Sequence, residues 1–357
     1  MASKRERAVR SAAASERGMA RVSSERGSQL STLFKTVLGT RLAAYDPWLY
    51  HYCGGVAEPK QARKYLQYLV DLLDFGGVEA RGNRLLDAGC GFGFALIASS
   101  LLGVAEAHGI DIYRPMLETV RAYLPILPGD VSARIRVTEG DASAMPFEDA
   151  SFDIVISNEA ISHYRDVDSF LDESARILRR GGVLVIFDGN NGLNPSIRRK
   201  TREIWRAFEL GTDQEWVHTH KVEKCYQRRR AEIVAERFPQ ASPEEIKLLS
   251  SRTFAMTVPD VVHAAERYFR EGVAPTSLFT GEDVPVDPDI GLVIERLFDP
   301  YELARQLEQR GFETRVGGYW GGASGRRWVR LVNTVLTAAT WFTLRTATSF
   351  RIAATKR

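Results

Sequence analysis

Short apolar runs alternate with segments of helical spacing over the central part of the chain, from residue 84 to residue 187. Each of five runs has the length of a strand, and each ends at a glycine or a polar residue. Segments with helical periodicity lie between them, as at 94–102 and 168–178. Strands that alternate with helices in this way form a parallel sheet with helices on its faces. The pattern therefore predicts a doubly wound α/β domain.

The pattern changes after the fifth run. Turn residues fill Asp188–Pro195, and residues 196–291 have mainly helical spacing. The helices predicted there span 198–210, 221–238, 243–249 and 259–271. A glycine-ended helix at 299–311, a strand at 312–317 and a last strand at 349–355 then resume the α/β pattern. We divide the chain into a basic tail predicted to be disordered (1–30), N-terminal helices and core (31–190), a helical insert (191–291) and the end of the core (292–357).

Composition limits the compartment and the partners. The chain has 357 residues, of which 44% are hydrophobic, enough for a sizeable core. Its three cysteines are scattered and no apolar secretory segment is found, so we expect a cytoplasmic protein. The formal net charge is +3, but residues 1–30 carry +4 and residues 314–357 carry +8, which leaves −9 for the middle. This acidic body argues against a nucleic-acid partner, which needs a broad basic surface.

The first apolar run leads into a glycine-rich turn. The segment Arg84-Leu-Leu-Asp-Ala-Gly-Cys-Gly-Phe-Gly93 holds the acidic residue Asp87 and glycines at 89, 91 and 93, and a small-residue helix follows from Phe94. A strand that turns through glycines into a helix presents backbone N–H groups and a positive helix end to a ligand. The spacing differs from the dinucleotide fingerprint G-x-G-x-x-G, which disfavours a nicotinamide dehydrogenase.

Polar residues also end the next three runs. Asp111 lies 24 residues after Asp87, where the second strand of a βαβ unit ends. An acidic side chain there can accept hydrogen bonds from both hydroxyls of a ribose, and Ile112 beside it offers an apolar face. The third run ends in Gly140-Asp141-Ala142 and the fourth in Asn158. All of these residues lie at the carboxyl ends of predicted parallel strands, where ligands bind in α/β sheets.

This ordered set resembles the motifs of class I S-adenosylmethionine-dependent methyltransferases, over residues 60–190 and 292–357. The resemblance implies a Rossmann-like sheet of order 3-2-1-4-5-7-6 whose last strand is antiparallel, and S-adenosyl-L-methionine as cofactor. In the family pattern the glycine turn and its acidic residue hold the amino-acid end of the cofactor, the second acidic residue holds the ribose, and the third meets the adenine. The cofactor-binding residues implied are Asp87, Ala88, Gly89, Cys90, Gly91, Asp111, Ile112, Asp141, Ala142 and Asn158. The resemblance does not reach the insert, which we expect to carry most of the substrate pocket.

His163 is the catalytic candidate. It lies in the loop after the fourth strand, which in the family faces the transferring methyl group. A histidine titrates near neutral pH and suits a general base for a hydroxyl acceptor. The alternative is a structural histidine that bonds to a neighbouring loop. Tyr164 and Glu159 are weaker candidates, and Asp188 is better explained as a turn cap.

Two segments outside the motifs have open interpretations. In the aromatic cluster at 45–55, Tyr50, His51 and Tyr52 either border the site as a lid or anchor the leading helix, predicted at 29–44, on the surface. The basic amphipathic segment at 326–345 is too short and polar to span a bilayer. It suits an interfacial membrane helix or a helix packed on the insert, and we favour packing because most amphipathic helices face a protein core. Peripheral membrane contact through this segment remains the second interpretation.

The pair His218-Thr-His220 does not predict a zinc site, because no cysteine or carboxylate accompanies it at ligand spacing, and we predict no metal. The neighbouring run Arg228-Arg-Arg230 forms a helix surface or contacts acidic groups.

The sequence favours methyl transfer to an oxygen, nitrogen or carbon nucleophile of a small-molecule acceptor, lipid-like or a natural product. One alternative is a methyltransferase of protein or RNA, although the fourth run lacks the Asn/Asp-Pro-Pro-Tyr type of ending. The other is a non-catalytic binding protein. Against it, the sequence contains all of the expected cofactor contacts, and such a protein would have little need of every one of them. The pattern gives no prediction of oligomeric state.

Overall fold

The computed structural model describes residues 22–39, 55–319 and 340–357. These residues form two compact units. The first unit takes the described residues of Met1–Ile161, Asp166–Gly189 and Pro300–Arg357. The second unit consists of Ser162–Arg165 and Asn190–Asp299.

A seven-stranded sheet forms the centre of the first unit. In chain order the strands are β1 (Arg84–Ala88), β2 (Glu106–Asp111), β3 (Ile135–Glu139), β4 (Phe152–Asn158), β5 (Leu178–Asp188), β6 (Glu215–Val217), β7 (His220–Val222), β8 (Phe312–Tyr319) and β9 (Ser349–Lys356). Strands β6 and β7 form a hairpin in the second unit, and the other seven form the sheet in the order β3-β2-β1-β4-β5-β9-β8. Strand β9 runs antiparallel to both of its neighbours. The predicted order and the antiparallel last strand are confirmed.

The register of the parallel strands determines which residues meet at the carboxyl edge. Ala88 of β1 lies opposite Ile110 of β2, and Asp87 lies opposite Ile156 of β4. Glu139 of β3 lies opposite Asp111. The residues that end or follow these strands therefore emerge side by side, so the glycine turn begins next to the ends of β2 and β4.

The helices of the first unit pack around the sheet through apolar residues that recur at helical spacing, and the second unit has helices of its own. In chain order they are α1 (Ser24–Leu38), α2 (Pro59–Gly76), α3 (Phe94–Leu102), α4 (Arg114–Tyr123), α5 (Gly129–Ser132), α6 (Val167–Ile177), α7 (Pro195–Leu210), α8 (Tyr226–Arg237), α9 (Pro243–Ser251), α10 (Val258–Glu271), α11 (Pro300–Gln309) and α12 (Thr340–Thr346). Helices α7 to α10 belong to the second unit. In the first unit, Leu30 and Phe34 of α1 and Leu66 of α2 are fully buried, as expected for helices with one apolar face.

The second unit has its own core. Ile233 and Val234 of α8 pack with Leu249 of α9 and with Val261 and Ala265 of α10. Side chains cap the helix starts: the Asn194 side chain accepts backbone N–H groups at the start of α7, and Ser242 and Glu245 form a capping box on α9. These caps satisfy N–H groups that have no partner inside the helix.

The structure corrects two of the sequence predictions. Helix α1 begins at Ser24, so the disordered tail predicted for 1–30 is wrong for its last residues, where Leu30 is fully buried. The helix predicted at 221–238 begins only at Tyr226, because Lys221 and Val222 belong to the hairpin. Strands of three residues are too short to show an alternating pattern.

The aromatic residues Tyr50, His51 and Tyr52 and most of the amphipathic segment at 326–345 lie outside the described residues. The described end of that segment begins α12, where Trp341 and Phe342 are exposed. Within the three described ranges, no helix combines the length and the apolar character needed to cross a bilayer.

Candidate active site

The turn after β1 uses backbone conformations that favour glycine. Gly89, Gly91 and Gly93 have φ values of 74°, 50° and 73°. The N–H groups of Gly89 and Cys90 both donate to the Ile110 carbonyl, at 2.8 and 3.1 Å. The start of the turn is therefore attached to the end of β2, and its second half leads directly into α3.

Two glycines of this turn differ in their surroundings. A Cβ atom on Gly93 would lie 2.5 Å from the Tyr123 hydroxyl, which donates to the Phe92 carbonyl at 2.7 Å. Among the described residues, a Cβ atom on Gly91 would meet only the Met116 sulfur, at 3.6 Å. Gly93 thus permits close packing, whereas the described part of the chain leaves one side of Gly91 open to a ligand.

Asp111 is held by two backbone donors. One carboxylate oxygen accepts the Gly91 N–H and the other accepts the Tyr113 N–H, each at 2.8 Å. Each oxygen of a carboxylate has a second lone pair, so both can also accept a hydrogen bond from a ligand hydroxyl. Ile112 beside it is 52% exposed although its side chain is apolar. The structure brings Asp111, Ile112 and the glycine turn together, as the sequence indicated.

Asp87 is a deeply buried acidic residue of this edge, with 3% exposure. Burial raises the pKa of its carboxyl well above the ordinary value, and the charge of Asp111 raises it further. Its Oδ1 atom is buried and has no hydrogen-bond partner among the residues that the structure describes. A nearby positive charge would stabilise the carboxylate, which fits a cationic ligand group at the turn.

Asp141 begins a loop that is joined to the end of β2. Its side chain is exposed and accepts the Ser143 N–H at 2.8 Å. The preceding Gly140 N–H donates to the Asp111 carbonyl at 3.0 Å, and Ala142 is buried. Asp111 at the end of β2 and Asp141 after β3 are therefore neighbours. The hydrogen bond from the Ser143 N–H orients the Asp141 carboxylate.

A pair on α6 that the sequence analysis missed holds the rest of this loop. The Glu173 carboxylate accepts the Met145 N–H at 2.6 Å, and the Arg176 guanidinium donates to the carbonyls of Met145 and Phe147 at 2.9 and 2.6 Å. Hydrogen bonding to Arg176 lowers the pKa of Glu173. The only signal in the sequence is a Glu and an Arg three residues apart, a spacing that is common on helices.

Asn158 at the end of β4 binds a tyrosine that was also missed. The Tyr68 hydroxyl of α2 donates to the Asn158 side-chain oxygen. The Tyr68 ring packs edge-on against Phe187 and Tyr319, with centroid distances of 5.0 and 5.7 Å. Burial, followed by the charge of Glu159, raises the pKa of Tyr68, which keeps it a hydrogen-bond donor.

Glu159 directly follows β4, and Asp188 is the last residue of β5. Glu159 has a φ of 53°, a conformation that costs energy for a residue with a side chain. Its carboxylate accepts the Gly189 N–H at 3.1 Å, and its own N–H donates to the Phe187 carbonyl at 2.8 Å. Asp188 is fully buried. The first unit thus collects the candidate residues from Asp87 to Glu159 along one edge.

His163 and Tyr164 belong to the second unit. The His163 Nδ1 atom lies 3.1 Å from the Val293 carbonyl oxygen. Because a carbonyl only accepts, Nδ1 carries the hydrogen, and Nε2 of the neutral ring has the free lone pair. This bond to a loop is the one expected of a structural histidine, and it fixes which ring nitrogen carries the hydrogen.

A carboxylate cluster in the second unit was not predicted. Glu295, with a φ of 52°, accepts hydrogen bonds from the Asn190 amide and from His220 Nε2, the latter at 2.9 Å. Burial alone would raise the pKa of Glu295, but the His220 bond, the charge of His163 and the Asn190 bond together lower it to about 2. The Trp205 indole donates to the carbonyl groups of residues 294 and 295 at 3.0 and 3.1 Å. Glu295 is thus an anion that His220 and Asn190 hold in place, and its charge interacts with that of His163 when the imidazole is protonated.

Each histidine of the pair at 218 and 220 binds a carboxylate. His218 lies 2.8 Å from Glu203, and His220 lies 2.9 Å from Glu295. Over the described ranges no group of three or more His, Cys, Asp and Glu has the arrangement of a metal site. The neighbouring arginines contact acidic groups: Arg228 pairs with Asp213 at 2.7 Å, and Arg230 is buried against Glu209.

Known proteins share the segment that contains this edge. Residues 86–186 match a family model described as methyltransferase domain. The chain is 32% identical over 166 residues to a 2-methyl-6-phytyl-1,4-hydroquinone methyltransferase of Synechocystis sp., over 41% of this chain and 50% of that protein. It is 35% identical over 132 residues to a 27-O-demethylrifamycin SV methyltransferase of Amycolatopsis mediterranei, over 36% of this chain and 46% of that protein.

A solved S-adenosylmethionine-dependent methyltransferase from Mesorhizobium loti is similar with a TM-score of 0.42 and 16% identity, over 81% of this chain and 96% of that one. The chain spans about half the length of the curated relatives it matches. The family match runs from β1 to β5 and so contains the glycine turn and the acidic strand ends. Residues 86–186 therefore form a methyltransferase domain, and the sheet around it has the strand order that the resemblance to class I S-adenosylmethionine-dependent methyltransferases implied.

Proposed function

We propose that this protein transfers the methyl group of S-adenosylmethionine to an oxygen, nitrogen or carbon nucleophile of a small-molecule acceptor. The observation that carries the proposal is the carboxyl edge of β1 to β4, where an open glycine turn adjoins a carboxylate held by two backbone donors. Support for a small acceptor comes from the two relatives, which are named for a phytyl hydroquinone and for a rifamycin.

The residues of this edge fit the cofactor. Asp87 suits its positively charged amino-acid end, because a nearby cation offsets the burial of that carboxyl. Asp111 would accept both ribose hydroxyls, and the exposed face of Ile112 would lie against the adenine, with Asp141 near its amino group. When bound, S-adenosylmethionine supplies a methyl group on a sulfonium that needs no further activation.

The protein's own contribution is mainly position. Methyl transfer is an in-line displacement, so the donor and the nucleophile must be held together in the right direction. The bond between Tyr68 and Asn158 and the packing of Tyr68 on Phe187 and Tyr319 give the end of β4 a fixed, apolar wall. Such a wall keeps water away from a reacting cation.

His163 is our proposal for the base where the acceptor is a hydroxyl. Its Nδ1–H is directed at the Val293 carbonyl, so Nε2 is the atom that takes the proton. The Glu295 carboxylate, whose pKa is lowered to about 2, stays ionised at neutral pH and would stabilise the positive charge that His163 gains. Glu295 would thus be a positioning residue for His163.

The first test is a calorimetric titration with S-adenosylmethionine and with S-adenosylhomocysteine, with NAD as a control. Binding of the first two without NAD supports the proposal and justifies a screen of lipid-like and natural-product acceptors with radiolabelled methyl donor. A protein that binds neither would retain the fold of the family without this activity.

For an oxygen acceptor found in that screen, we expect His163→Ala to lower kcat by roughly 10²- to 10⁴-fold, the range typical of a lost general base. The affinity for S-adenosylmethionine should stay within about twofold of the parent's, since Nε2 serves the acceptor. The matched control is His263→Ala, which removes an exposed histidine of α10. Turnover of the His163 variant at the parent rate would make this histidine structural.

Asp87 gives a pH prediction for cofactor binding. Its pKa is raised in the free protein, and a bound cation lowers it, so binding should release a proton at pH values between the two pKa values. The affinity for S-adenosylmethionine should therefore rise with pH through this window. Calorimetry in buffers of different ionisation enthalpy measures the release. Asp87→Asn should abolish it, and a parent protein that releases no proton would contradict this role for Asp87.

A further inference from the structure

One face of α7 forms a groove with four arginines. The groove has a volume of about 560 Å³ and is lined by Arg198, Arg199, Arg202 and Arg206, with Leu210 and Phe279 as its main apolar walls. We call it the arginine groove, and all of its residues belong to the second unit. The proposed methyltransferase function assigns it no role.

Acidic residues of the described chain pair with only two of these four arginines. Arg202 pairs with Glu282, and Arg199 lies 4.0 Å from Glu203, a carboxylate that also binds His218. Arg198 donates to the Gly192 carbonyl at 3.1 and 2.7 Å and has no carboxylate partner among the described residues. Arg206 is exposed and likewise has no ion-pair partner in that part of the chain. The groove therefore keeps two uncompensated positive charges.

The spacing of the arginines works against helix stability. Arg198, Arg202 and Arg206 follow one another at intervals of four residues, so they lie on one face and repel each other. A buried Nε atom of Arg202 also has no hydrogen-bond partner among the described residues. An anion in the groove would relieve the repulsion, and guanidinium groups suit phosphate because they donate two parallel hydrogen bonds.

Apolar surface adjoins the charged stripe on two sides. Leu210 is 48% exposed at the end of α7 and lines the arginine groove. Arg198 and Arg202 also line a second cavity of about 220 Å³, whose walls include the apolar Leu193, Trp205 and Phe298 and the acidic Glu282 and Asp299. A ligand bound at the arginines would thus have apolar space beside its anionic group.

We propose that the arginine groove binds the phosphate group of an amphiphilic molecule, with the apolar part of the ligand against Leu210 or in the adjoining cavity. The phosphate can belong to a free phosphorylated amphiphile or to a lipid headgroup in a membrane, and the same arginines recognise both. If the ligand is also the methyl acceptor, that part of the inference rests on the proposed function, whereas binding itself does not.

The test is a calorimetric titration of the full chain with octyl phosphate below its critical micelle concentration, without S-adenosylmethionine. We expect saturable binding that inorganic phosphate competes for and that octyl glucoside does not reproduce. Arg198→Gln with Arg206→Gln should weaken binding at least tenfold. The matched control is Arg237→Gln with Lys247→Gln, which removes two exposed positive charges elsewhere in the second unit and should change affinity less than twofold.

Two more measurements sharpen the assignment. Leu210→Ser should weaken octyl phosphate binding and leave the competition by inorganic phosphate unchanged. Vesicles of phosphatidylcholine with phosphatidic acid test the second source: sedimentation with these vesicles that the groove variant loses, without binding of octyl phosphate, assigns the phosphate to a lipid surface. The proposal is overturned if neither probe binds, or if the groove variant and its control behave alike. Because these assays omit the methyl donor, their outcome is independent of the cofactor titration.

Discussion

Replacement of Asp111 by alanine should weaken S-adenosylmethionine binding by roughly 100-fold or more, which corresponds to about 3 kcal/mol. The reason is that one carboxylate serves two purposes at the edge of the sheet. It accepts the Gly91 N–H and the Tyr113 N–H and so fixes the turn, and it would accept the ribose hydroxyls on its remaining lone pairs. A hydrogen bond to a charged group contributes about 1.5–3 kcal/mol, so the loss of two or more explains the size of the effect.

The measurement is calorimetric affinity, with thermal unfolding as a check on the fold. Glu139→Gln is the matched control, because Glu139 ends β3 opposite Asp111 and its side chain contacts Arg114 at 3.8 Å instead of the turn. We expect this control to bind like the parent. If Asp111→Ala keeps the parent affinity while folding normally, the ribose is not held by Asp111 and the assignment of the edge to the cofactor is in error.

The residues of this edge could be predicted because each depends on a local rule. Glycines at 89, 91 and 93 follow from a strand that must turn into a helix, and all three have positive φ. Asp111 and Asp141 could be placed because the carboxyl ends of parallel strands meet at one edge. The strand order was implied by the family resemblance, and the structure agrees with it.

The missed residues depend on contacts between distant parts of the chain. Tyr68 reaches Asn158 across 90 residues, and Glu173 reaches the Met145 N–H across 28. In the sequence, Tyr68 is one more large residue on an apolar helix face, and its hydroxyl partner becomes visible only when α2 packs on the sheet. Glu295 was missed for the same reason, since its partner His220 is 75 residues away.

For His163, the sequence alone is compatible with two roles, a general base and a structural histidine. Its position after β4 suggested a base, and the alternative was a bond to a neighbouring loop. The structure provides that bond, to Val293, and places His163 near the charge of Glu295. The two roles are compatible because the loop bond uses Nδ1 and the proposed proton transfer uses Nε2.

The second large effect concerns the stability of the second unit. Glu209 and Arg230 form an ion pair whose side chains are 2% and 0% exposed. Glu209→Leu would leave the guanidinium buried without its carboxylate, and we expect the free energy of unfolding to fall by about 3–5 kcal/mol. Urea unfolding measures this change. The control is Glu271→Leu, which breaks the exposed pair with Arg267 and should leave the free energy of unfolding close to that of the parent.

The double variant Glu209→Leu with Arg230→Leu tests whether the ion pair stabilises the folded state or only offsets the cost of burying its own two charges. Burial raises the pKa of Glu209, and the hydrogen bond from Arg230 lowers it only in part. The folded state therefore holds the proton of Glu209 more tightly than the unfolded state, so the contribution of Glu209 to stability falls as pH rises from the unfolded pKa towards the folded pKa.

Two leucines remove both the desolvation cost and this pH dependence, so the double variant should be much more stable than Glu209→Leu alone. Equal destabilisation of the single and double variants would instead mean that the charges themselves stabilise the second unit.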